Sequence, residues 1–295
     1  LACALSGLAQ GAGNPAQQEQ ARGFLEGSSL DLNLRHYYAN QHARGSTYLT
    51  IQKPQGRVPT RTRETWVQAS MLKLSSGYTQ GTLGFGLDAG IFSAVNLARG
   101  HGQVANGADR VLVDSSGDAI PTWSRLGLGI ARFRVSNTEL KVGRQMTENP
   151  ILRYKDNRAL PSSFQGAGLS SNETDWLSLQ AGSFDRVIPR TGTGAERLTS
   201  GFGNRQYSGD RISYVGGTLK PGYGLEATLY ASRFENMWDQ YYFGAIHRAG
   251  DNATLGTRIA FGYYHTREQG EQRLGYIDNS AYSIALTGSH QAHSV

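Results

Sequence analysis

The sequence has little of what would mark several common protein classes. Its 295 residues include one cysteine, Cys3, and 8 prolines, and no apolar run approaches the ~18–20 residues of a membrane-spanning helix. A single cysteine forms no intrachain disulfide and no thiolate metal site. The scarcity of proline and the absence of a Gly-x-y repeat exclude a collagen-like chain. A helical membrane protein is excluded as well.

Glycine and aromatic residues are abundant by contrast. The chain holds 38 Gly, 15 Tyr and 10 Phe, while hydrophobic residues make up 38% of it, below the roughly 45–50% of an ordinary globular protein. Disordered chains are depleted in aromatic residues, so disorder is disfavoured. The formal net charge of +6 favours anionic partners, but it does not distinguish nucleic acid from lipid headgroups or small carboxylates.

The N-terminus resembles the end of a secretory signal peptide. An apolar run, 1–9, is followed by small residues at 11–13 and polar residues at 17–20. The positively charged region that opens a signal peptide does not precede the run. We therefore expect 1–22 to be the remnant of a signal peptide and an N-terminal leader of an exported protein. An apolar leader that belongs to the mature protein is the alternative.

Apolar and polar residues alternate with a period of two along most of the chain, which predicts β-strands. Within 28–38, three leucines alternate with Asp31, Asn33 and Arg35. The same alternation recurs in three further segments: 83–88, 225–232 and 258–263. A thirteenth strand begins near His293. The twelve predicted strands before it are 26–38, 65–76, 82–91, 124–135, 138–144, 161–170, 174–184, 210–219, 225–234, 238–247, 255–266 and 280–289.

Short turns and long connections alternate between the predicted strands. The short turns lie at 77–81, 136–138, 171–173, 220–224 and 248–252. The other connections are long except for a brief one near 234–237: 39–64, 92–123, 145–160, 186–209 and 267–279. A chain with this pattern runs up and down with its tight turns at one end, which is the arrangement of outer-membrane β-barrels.

The two strand faces favour a barrel in lipid over a soluble β-sandwich. The polar faces carry charge, as at Asp88, Glu139 and Glu226, which suits a water-filled lumen, whereas a sandwich needs one apolar inner face. Nine aromatic residues stand at strand ends like the interfacial girdles of such barrels: Trp66, Tyr78, Trp123, Trp176, Tyr214, Tyr223, Trp238, Tyr241 and Tyr242. The predicted fold is therefore an all-β, antiparallel up-and-down transmembrane β-barrel, closed so that no sheet edge is left unpaired in hydrocarbon.

One predicted strand changes register along its length. In 124–135 the apolar positions shift from even to odd numbers. A β-bulge near 129–131 restores the alternation and puts Arg132 and Arg134 on the polar face.

Three blocks of the sequence resemble the OprD-type, substrate-specific outer-membrane porins of Gram-negative bacteria. The first strand of that family is similar to 23–38, its second tight turn to 136–143, and the end of its constriction loop with the following strand to 156–169. Ala159 stands where the family usually has leucine. The resemblance extends over 23–295 and implies a monomeric 18-stranded barrel in the outer membrane with an inward-folded constriction loop. About twelve of those strands are present, so 23–295 is expected to be a partial barrel truncated at its C-terminus.

The resemblance also implies a function, which is passive uptake of small carboxylate-bearing solutes, amino acids or aromatic acids, through a narrow pore. In that family a row of basic side chains along the lumen wall passes the carboxylate from one cation to the next. The candidate rungs of this basic ladder are Arg35, Arg132, Arg134, Lys141 and Arg258. Arg132 and Arg134 are spaced by ~6–7 Å along one strand face, a short step for a carboxylate. The alternative for each rung is that its charge only hydrates the lumen wall.

The predicted constriction loop, 145–160, carries a second group of candidate site residues: Arg153, Tyr154, Asp156 and Arg158. Asp156 and Arg158 are expected to hold the loop to the barrel by hydrogen bonds, and direct contact with the solute is the alternative. The segment 190–197, in the next long connection, is expected either to fold inward as well or to remain an external loop.

Other chemistry finds little support in the sequence. No catalytic residue, metal site or cofactor is predicted, because the Gly-rich 81–86 lies in a strand rather than before a helix and the seven histidines show no metal-ligand spacing. The expected partners of the monomer are small anionic or zwitterionic carboxylate solutes and outer-membrane lipid, with no nucleic acid. Two alternatives remain open: an outer-membrane barrel hydrolase and a soluble, secreted β-sandwich that binds sugar or protein. The sequence does not decide which carboxylate is the substrate.

Overall fold

The computed structural model of the chain describes residues 17–53, 56–97, 120–251, 255–290 and 293–294. Within these ranges the regular structure is entirely β, and no helix is long and apolar enough to cross a membrane. Most of the predicted signal-peptide remnant, including Cys3, lies outside the described residues. The strands are β1 (Ser29–His42), β2 (Leu49–Lys53), β3 (Gly56–Thr60), β4 (Thr62–Ser75), β5 (Leu83–Asn96), β6 (Thr122–Val135), β7 (Thr138–Gln145), β8 (Ser163–Thr174), β9 (Leu177–Ile188), β10 (Glu196–Arg197), β11 (Thr199–Phe202), β12 (Arg205–Ser208), β13 (Ile212–Gly222), β14 (Leu225–Phe234), β15 (Trp238–Ala249), β16 (Gly256–Glu268), β17 (Asp278–His290) and β18 (His293–Ser294).

The long strands form one antiparallel sheet. Their order is β1-β4-β5-β6-β7-β8-β9-β13-β14-β15-β16-β17-β18, and β10 also pairs with β9. These strands are the twelve that the alternation predicts and the thirteenth near His293, so the predicted fold class is confirmed. The hairpins β2–β3 and β11–β12 lie in two of the long connections and were not predicted. Strands of four or five residues contain too few positions for an alternation to be recognised.

The short turns gather at one end of the sheet, as predicted. Two residues join β6 to β7, two join β8 to β9, and two join β13 to β14. Ser136 (φ 53°) and Tyr223 (φ 52°) adopt the left-handed conformation that a two-residue hairpin requires. We call this end, at which β4, β6, β8, β13, β15 and β17 finish, the short-turn end.

One face of the sheet is apolar and exposed. Leu32 on β1 pairs with Leu72 on β4, which pairs with Ile91 on β5, which in turn pairs with Leu126 on β6. These four side chains are 42–62% exposed. A soluble sandwich would bury such a row in its core, so that alternative is wrong. In a barrel the row faces acyl chains.

The sheet curls around its other face. Arg35 on β1 and Tyr264 on β16 stand far apart in the strand order, yet both contact the connection between β7 and β8. Residues at the two ends of the sheet therefore approach one segment from different sides. We call this concave side the inner face.

The bulge in β6 lies at Gly127, just before the predicted segment 129–131, so the predicted position is wrong. Consecutive residues of β5 pair with Leu126 and Leu128, which leaves Gly127 as the extra residue. A Cβ at Gly127 would lie 2.3 Å from the ring of Phe92, so the crowded position is occupied by a residue without a side chain. The alternation of apolar residues reports that the register changes but does not specify the residue at which it changes.

Five of the nine aromatic residues assigned to interfacial girdles instead lie on the inner face, which corrects that prediction. Tyr78 and Trp123 are 8% and 9% exposed, whereas Trp176 and Tyr223 are 53% and 98% exposed. These large side chains fill the space between the inner face and the inward-folded loop, because protein interiors are closely packed. The alternation along a strand carries no information about that loop, so it could not predict their orientation. The inward five are Tyr78, Trp123, Tyr214, Trp238 and Tyr242.

Candidate functional site

The connection between β7 and β8, residues 146–162, matches the predicted constriction loop 145–160 except that 145 still belongs to β7, and it begins with a compact turn. The side-chain carbonyl of Asn149 accepts hydrogen bonds from the backbone N–H groups of Ile151 and Leu152, at 2.9 and 2.8 Å. Arg153 forms an ion pair of 2.8 Å with Glu148 across the turn. These local bonds satisfy the backbone without a neighbouring strand, so the loop can leave the wall as a unit.

Two apolar clusters attach the loop to different parts of the inner face. Ala159 and Leu160, both fully buried, pack against a cluster contributed by β4, β5 and β6. Leu152 packs into a second cluster contributed mainly by β8, β9, β13 and β14. Because the two clusters belong to opposite parts of the curled sheet, the constriction loop crosses the interior from one to the other.

Polar contacts extend this attachment to both ends of the sheet. The guanidinium of Arg35 on β1 makes two bonds to the carboxylate of Asp156, at 2.5 and 3.2 Å, and donates to the carbonyl of Arg158 at 2.9 Å. The hydroxyl of Tyr264 on β16 donates to the carbonyl of Pro150 at 3.1 Å. Burial, with the nearby carboxylates second, raises the pKa of the Tyr154 hydroxyl, which therefore stays neutral inside the bore.

The second long connection, 189–211, also reaches the constriction loop. The guanidinium of Arg190 donates to the side chain of Asn157. Arg125 on β6, only 5% exposed, donates to the carbonyls of Pro189 and Gly192 in this connection and to that of Pro161. The first part of the predicted segment 190–197 therefore lies inside, whereas 193–197 is exposed.

Arg125 is a site residue that the sequence reasoning missed. It neighbours the outward Leu126 in a strand of period two, so continuing the alternation toward the start of β6 puts it on the inner face. The bulge at Gly127 hides this signal, because the parity of the second half of the strand assigns Arg125 to the outside.

A second group of charges lies on the inner face near the short-turn end. Arg132 pairs with Asp88 at 3.0 Å and donates to the carbonyl of Ser76 at 2.6 Å, and its side chain is 12% exposed. The Cζ atom of Arg132 lies 4.5 Å from the centroid of the Tyr78 ring, and that of Arg134 lies 3.8 Å from it. The phenol is therefore in contact with both guanidinium groups, which it holds by cation–π attraction.

Glu139 links this group to the next strand. The hydroxyl of Tyr78 donates to the Glu139 carboxylate, whose second oxygen lies 2.9 Å from the ammonium nitrogen of Lys141. Burial, followed by this hydrogen bond, raises the pKa of the Tyr78 hydroxyl, so the phenol remains a donor at neutral pH. Lys141 stays 40% exposed toward the bore and stands beside Arg132 in the strand pairing.

The structure thus brings together three of the five candidate ladder residues and separates the other two. Arg132, Arg134 and Lys141 lie on β6 and β7 near the short-turn end, whereas Arg35 on β1 meets the constriction loop. Arg258 lies on β16, and its side chain has no hydrogen bond or ion pair with any other described residue. Their part in solute passage stays a prediction. In the described ranges no three His, Cys, Asp or Glu side chains converge on a potential metal site.

Comparison with known proteins identifies the family. Residues 22–295 match the model of the OprD family of outer membrane porins. The porin-like protein GalP of Pseudomonas putida is 32% identical over 271 residues, which cover 90% of this chain and 61% of GalP. Porin D of Pseudomonas aeruginosa is 30% identical over 281 residues, which cover 95% of this chain and 59% of Porin D. The chain thus spans about three fifths of the length of these relatives.

Solved structures have the same fold. OccD3 (OpdP) of Pseudomonas aeruginosa superposes with a TM-score of 0.78 at 42% identity, over 95% of this chain and 59% of its own. OpdK of the same species, solved with vanillate, superposes with a TM-score of 0.77 at 29% identity, over 92% of this chain and 66% of OpdK. OccK2 (OpdF), also of Pseudomonas aeruginosa and solved with glucuronate, superposes with a TM-score of 0.71 at 27% identity, over 92% of this chain and 64% of OccK2. The chain belongs to the OprD family of outer-membrane porins of Gram-negative bacteria.

Proposed function

We propose that the chain contributes to a passive outer-membrane channel that takes up small carboxylate-bearing solutes, amino acids or aromatic acids. The observation that carries the proposal is the constriction loop, which crosses the interior between Arg35 and Tyr264 and narrows a bore that has basic residues on its inner face. Two of the structural relatives support the solute class, since vanillate and glucuronate are both carboxylates.

The charge arrangement suits passage better than tight retention. Arg132, Arg134 and Lys141 present three cations to the bore, and Asp88 and Glu139 offset part of their charge. A carboxylate is attracted to such a group, but the internal partners compete for the same donors. Weak binding at several sites lets the solute be recruited and still leave.

The constriction loop supplies the other side of the path. Arg153 and Glu148 are 60% and 50% exposed and remain available to water and solute, whereas Asp156 is engaged by Arg35. In this proposal Asp156 and the carbonyl of Arg158 position the loop, and the solute passes beside it. The channel acts as a monomer in outer-membrane lipid and needs no cofactor.

Uptake by the full-length protein tests this function. Liposomes that contain the protein take up labelled benzoate or arginine faster than empty liposomes. The double substitution Arg132→Ala with Arg134→Ala lowers the rate of benzoate uptake about tenfold, because two guanidinium contacts with the carboxylate are lost. Arg267→Ala is the matched control, because Arg267 lies on β16 on the outer face with Tyr241. Equal uptake by the double variant and the control would refute carboxylate selection by these residues.

A further inference from the structure

Gln18 lies beside Arg134 at the short-turn end of the sheet. Its side chain is 3% exposed although it precedes the first strand. The amide nitrogen donates to the carbonyls of Thr79 and Gly81, at 2.8 and 3.0 Å. The amide oxygen accepts from Nε of Arg134 at 3.1 Å. Both polar atoms of this side chain are therefore hydrogen-bonded, the nitrogen to the β4–β5 turn and the oxygen to β6.

The neighbouring strand is built to admit this side chain. Gly84 on β5 faces Gln18, and a Cβ at Gly84 would lie 2.1 Å from the amide oxygen and 2.5 Å from the amide carbon. The backbone N–H of Gln18 also donates to the carbonyl of Ser136 in the β6–β7 turn, at 3.2 Å. Gly84, within the Gly-rich segment 81–86, thus leaves space for the side chain of Gln18.

The guanidinium of Arg134 has a ring on one face and an acceptor at Nε, but its two Nη nitrogens donate to no described residue. Its guanidinium stacks on Tyr78, and Gln18 accepts from Nε. The two Nη nitrogens have no hydrogen-bond partner within the described ranges. Arg134 is also the proposed rung nearest the short-turn end, since Val135 and the turn follow it directly.

We propose that Gln18 competes with the solute for Arg134: its side-chain carbonyl accepts the Nε–H of Arg134 in the resting channel, and a carboxylate must displace it to bind this guanidinium through Nε and an Nη together. The inference rests on the proposed function. A carboxylate forms a charge-assisted bond with a guanidinium that is roughly twice as strong as the bond of a neutral amide. Carboxylates therefore displace Gln18, whereas neutral solutes do not, which makes Gln18 a determinant of specificity.

The first requirement is that the exported protein retains Gln18. The intact mass of the full-length protein purified from outer membranes gives its N-terminal residue. A mature N-terminus at or before Gln17 supports the inference, and removal of Gln18 by processing overturns it.

Substitutions at Gln18 then test the competition. The measured quantity is the benzoate concentration that halves the single-channel chloride current of the full-length protein. Gln18→Ala lowers this concentration at least threefold because Nε of Arg134 becomes free. Gln18→Glu raises it at least threefold because a tethered carboxylate binds Arg134 more firmly than the amide does. A purely structural N-terminal segment would not respond in opposite directions to the two substitutions.

Two further variants complete the design. Gly84→Ala expels the amide from this space and lowers the concentration as Gln18→Ala does. Gln17→Ala is the matched control and leaves this concentration unchanged, because among the described residues Gln17 bonds through its backbone N–H alone, which donates to the side chain of Asn137 at 2.7 Å. Heat-modifiable migration in gel electrophoresis verifies that each variant is folded.

The outcomes separate this inference from the function on which it rests. If benzoate blocks the unmodified channel and Arg134→Ala weakens the block, but both Gln18 variants behave like the unmodified protein, the inference is wrong and the proposed function stands. If benzoate does not block the unmodified channel and Arg134→Ala changes nothing, the proposed function fails and the inference fails with it.

Discussion

The guanidinium of Arg35 on β1 clasps the carboxylate of Asp156 in the constriction loop through two parallel bonds, Nη1–Oδ1 at 2.5 Å and Nη2–Oδ2 at 3.2 Å. The two residues are 121 positions apart in the sequence. Their side chains are 29% and 38% exposed, so water screens the pair in part. Two parallel bonds fix the orientation of the carboxylate as well as its distance from the guanidinium, so this pair restricts the movement of the loop.

Breaking this clasp is expected to make the loop more mobile. Asp156→Ala removes an exposed pair worth about 1 kcal/mol, which raises the population of the released loop about fivefold. Single-channel recordings of the full-length protein then show a higher mean conductance and more open-channel noise. Arg153→Ala, which breaks the more exposed pair with Glu148 in the same loop, is the control and has a smaller effect. Equal noise in both variants would contradict the assigned role of Asp156.

The apolar attachment of the loop contributes more to stability than the ion pair does. Leu160 is fully buried, so Leu160→Ala is expected to lower the free energy of unfolding by about 2–5 kcal/mol through lost burial and a cavity. Urea unfolding in lipid vesicles measures the change. Leu87→Ala on the lipid face, where the side chain is 45% exposed, is the matched control with a smaller loss. A loss at Leu160 no larger than at Leu87 would mean that the loop does not pack as described.

The pair between Asp88 and Arg132 is expected to be structurally important. The side chains of Asp88 and Arg132 are only 16% and 12% exposed, so Asp88→Asn leaves Arg132 as a poorly hydrated cation. The expected loss in the free energy of unfolding is about 2 kcal/mol, less than the ~3–5 kcal/mol lost when one partner of a fully buried ion pair is removed. Glu226→Gln provides the comparison, because its partner Arg248 is 52% exposed at 3.6 Å and the expected loss is about 0–1 kcal/mol. The reverse order of the two losses would be inconsistent with the described burial.

A charge on the outer face is expected to destabilise the barrel. Ile91 is 54% exposed and stands between Leu72 and Leu126. Ile91→Arg costs about 2–4 kcal/mol if the side chain meets the bilayer midplane, because lipid does not hydrate the guanidinium. Ile91→Val, with an expected loss of about 0.5–1.5 kcal/mol, is the control. Unfolding in vesicles distinguishes the two, and similar stabilities would place Ile91 away from acyl chains.

Much of the architecture could be predicted from the sequence because strand faces repeat every two residues. The leucines of β1 and Ile259 on β16 are exposed as their alternation predicts, while Arg35 lies on the opposite face. The position of the bulge could not be predicted in this way. It depends on the space beside Phe92, which belongs to another strand. The inward orientation of Trp123 likewise depends on Leu160, which reaches it only after the loop has folded back.

The candidate site was less predictable than the fold. The sequence indicates which side chains are basic and on which strand face they lie, but the bulge at Gly127 reverses the parity beside Arg125, so the alternation assigns Arg125 to the wrong face. The contact of Gln18 with Arg134 spans 116 residues and involves no pattern within either segment. Arg134 was predicted from its strand face, but its contact with Gln18 arises only where the N-terminal segment packs against the β4–β5 and β6–β7 turns.

The order of apolar and polar residues, with the alternation of short turns and long connections, by itself determined an up-and-down sheet with a lipid-facing side and a wet side. Those properties are local, because each residue's direction follows from that of its neighbour. Only the tertiary structure decided which charges are paired, how the constriction loop crosses the bore and which residue accepts the hydrogen bond from Nε of Arg134. Such contacts join segments that are distant in the chain, and curling of the sheet is what brings them within bonding distance.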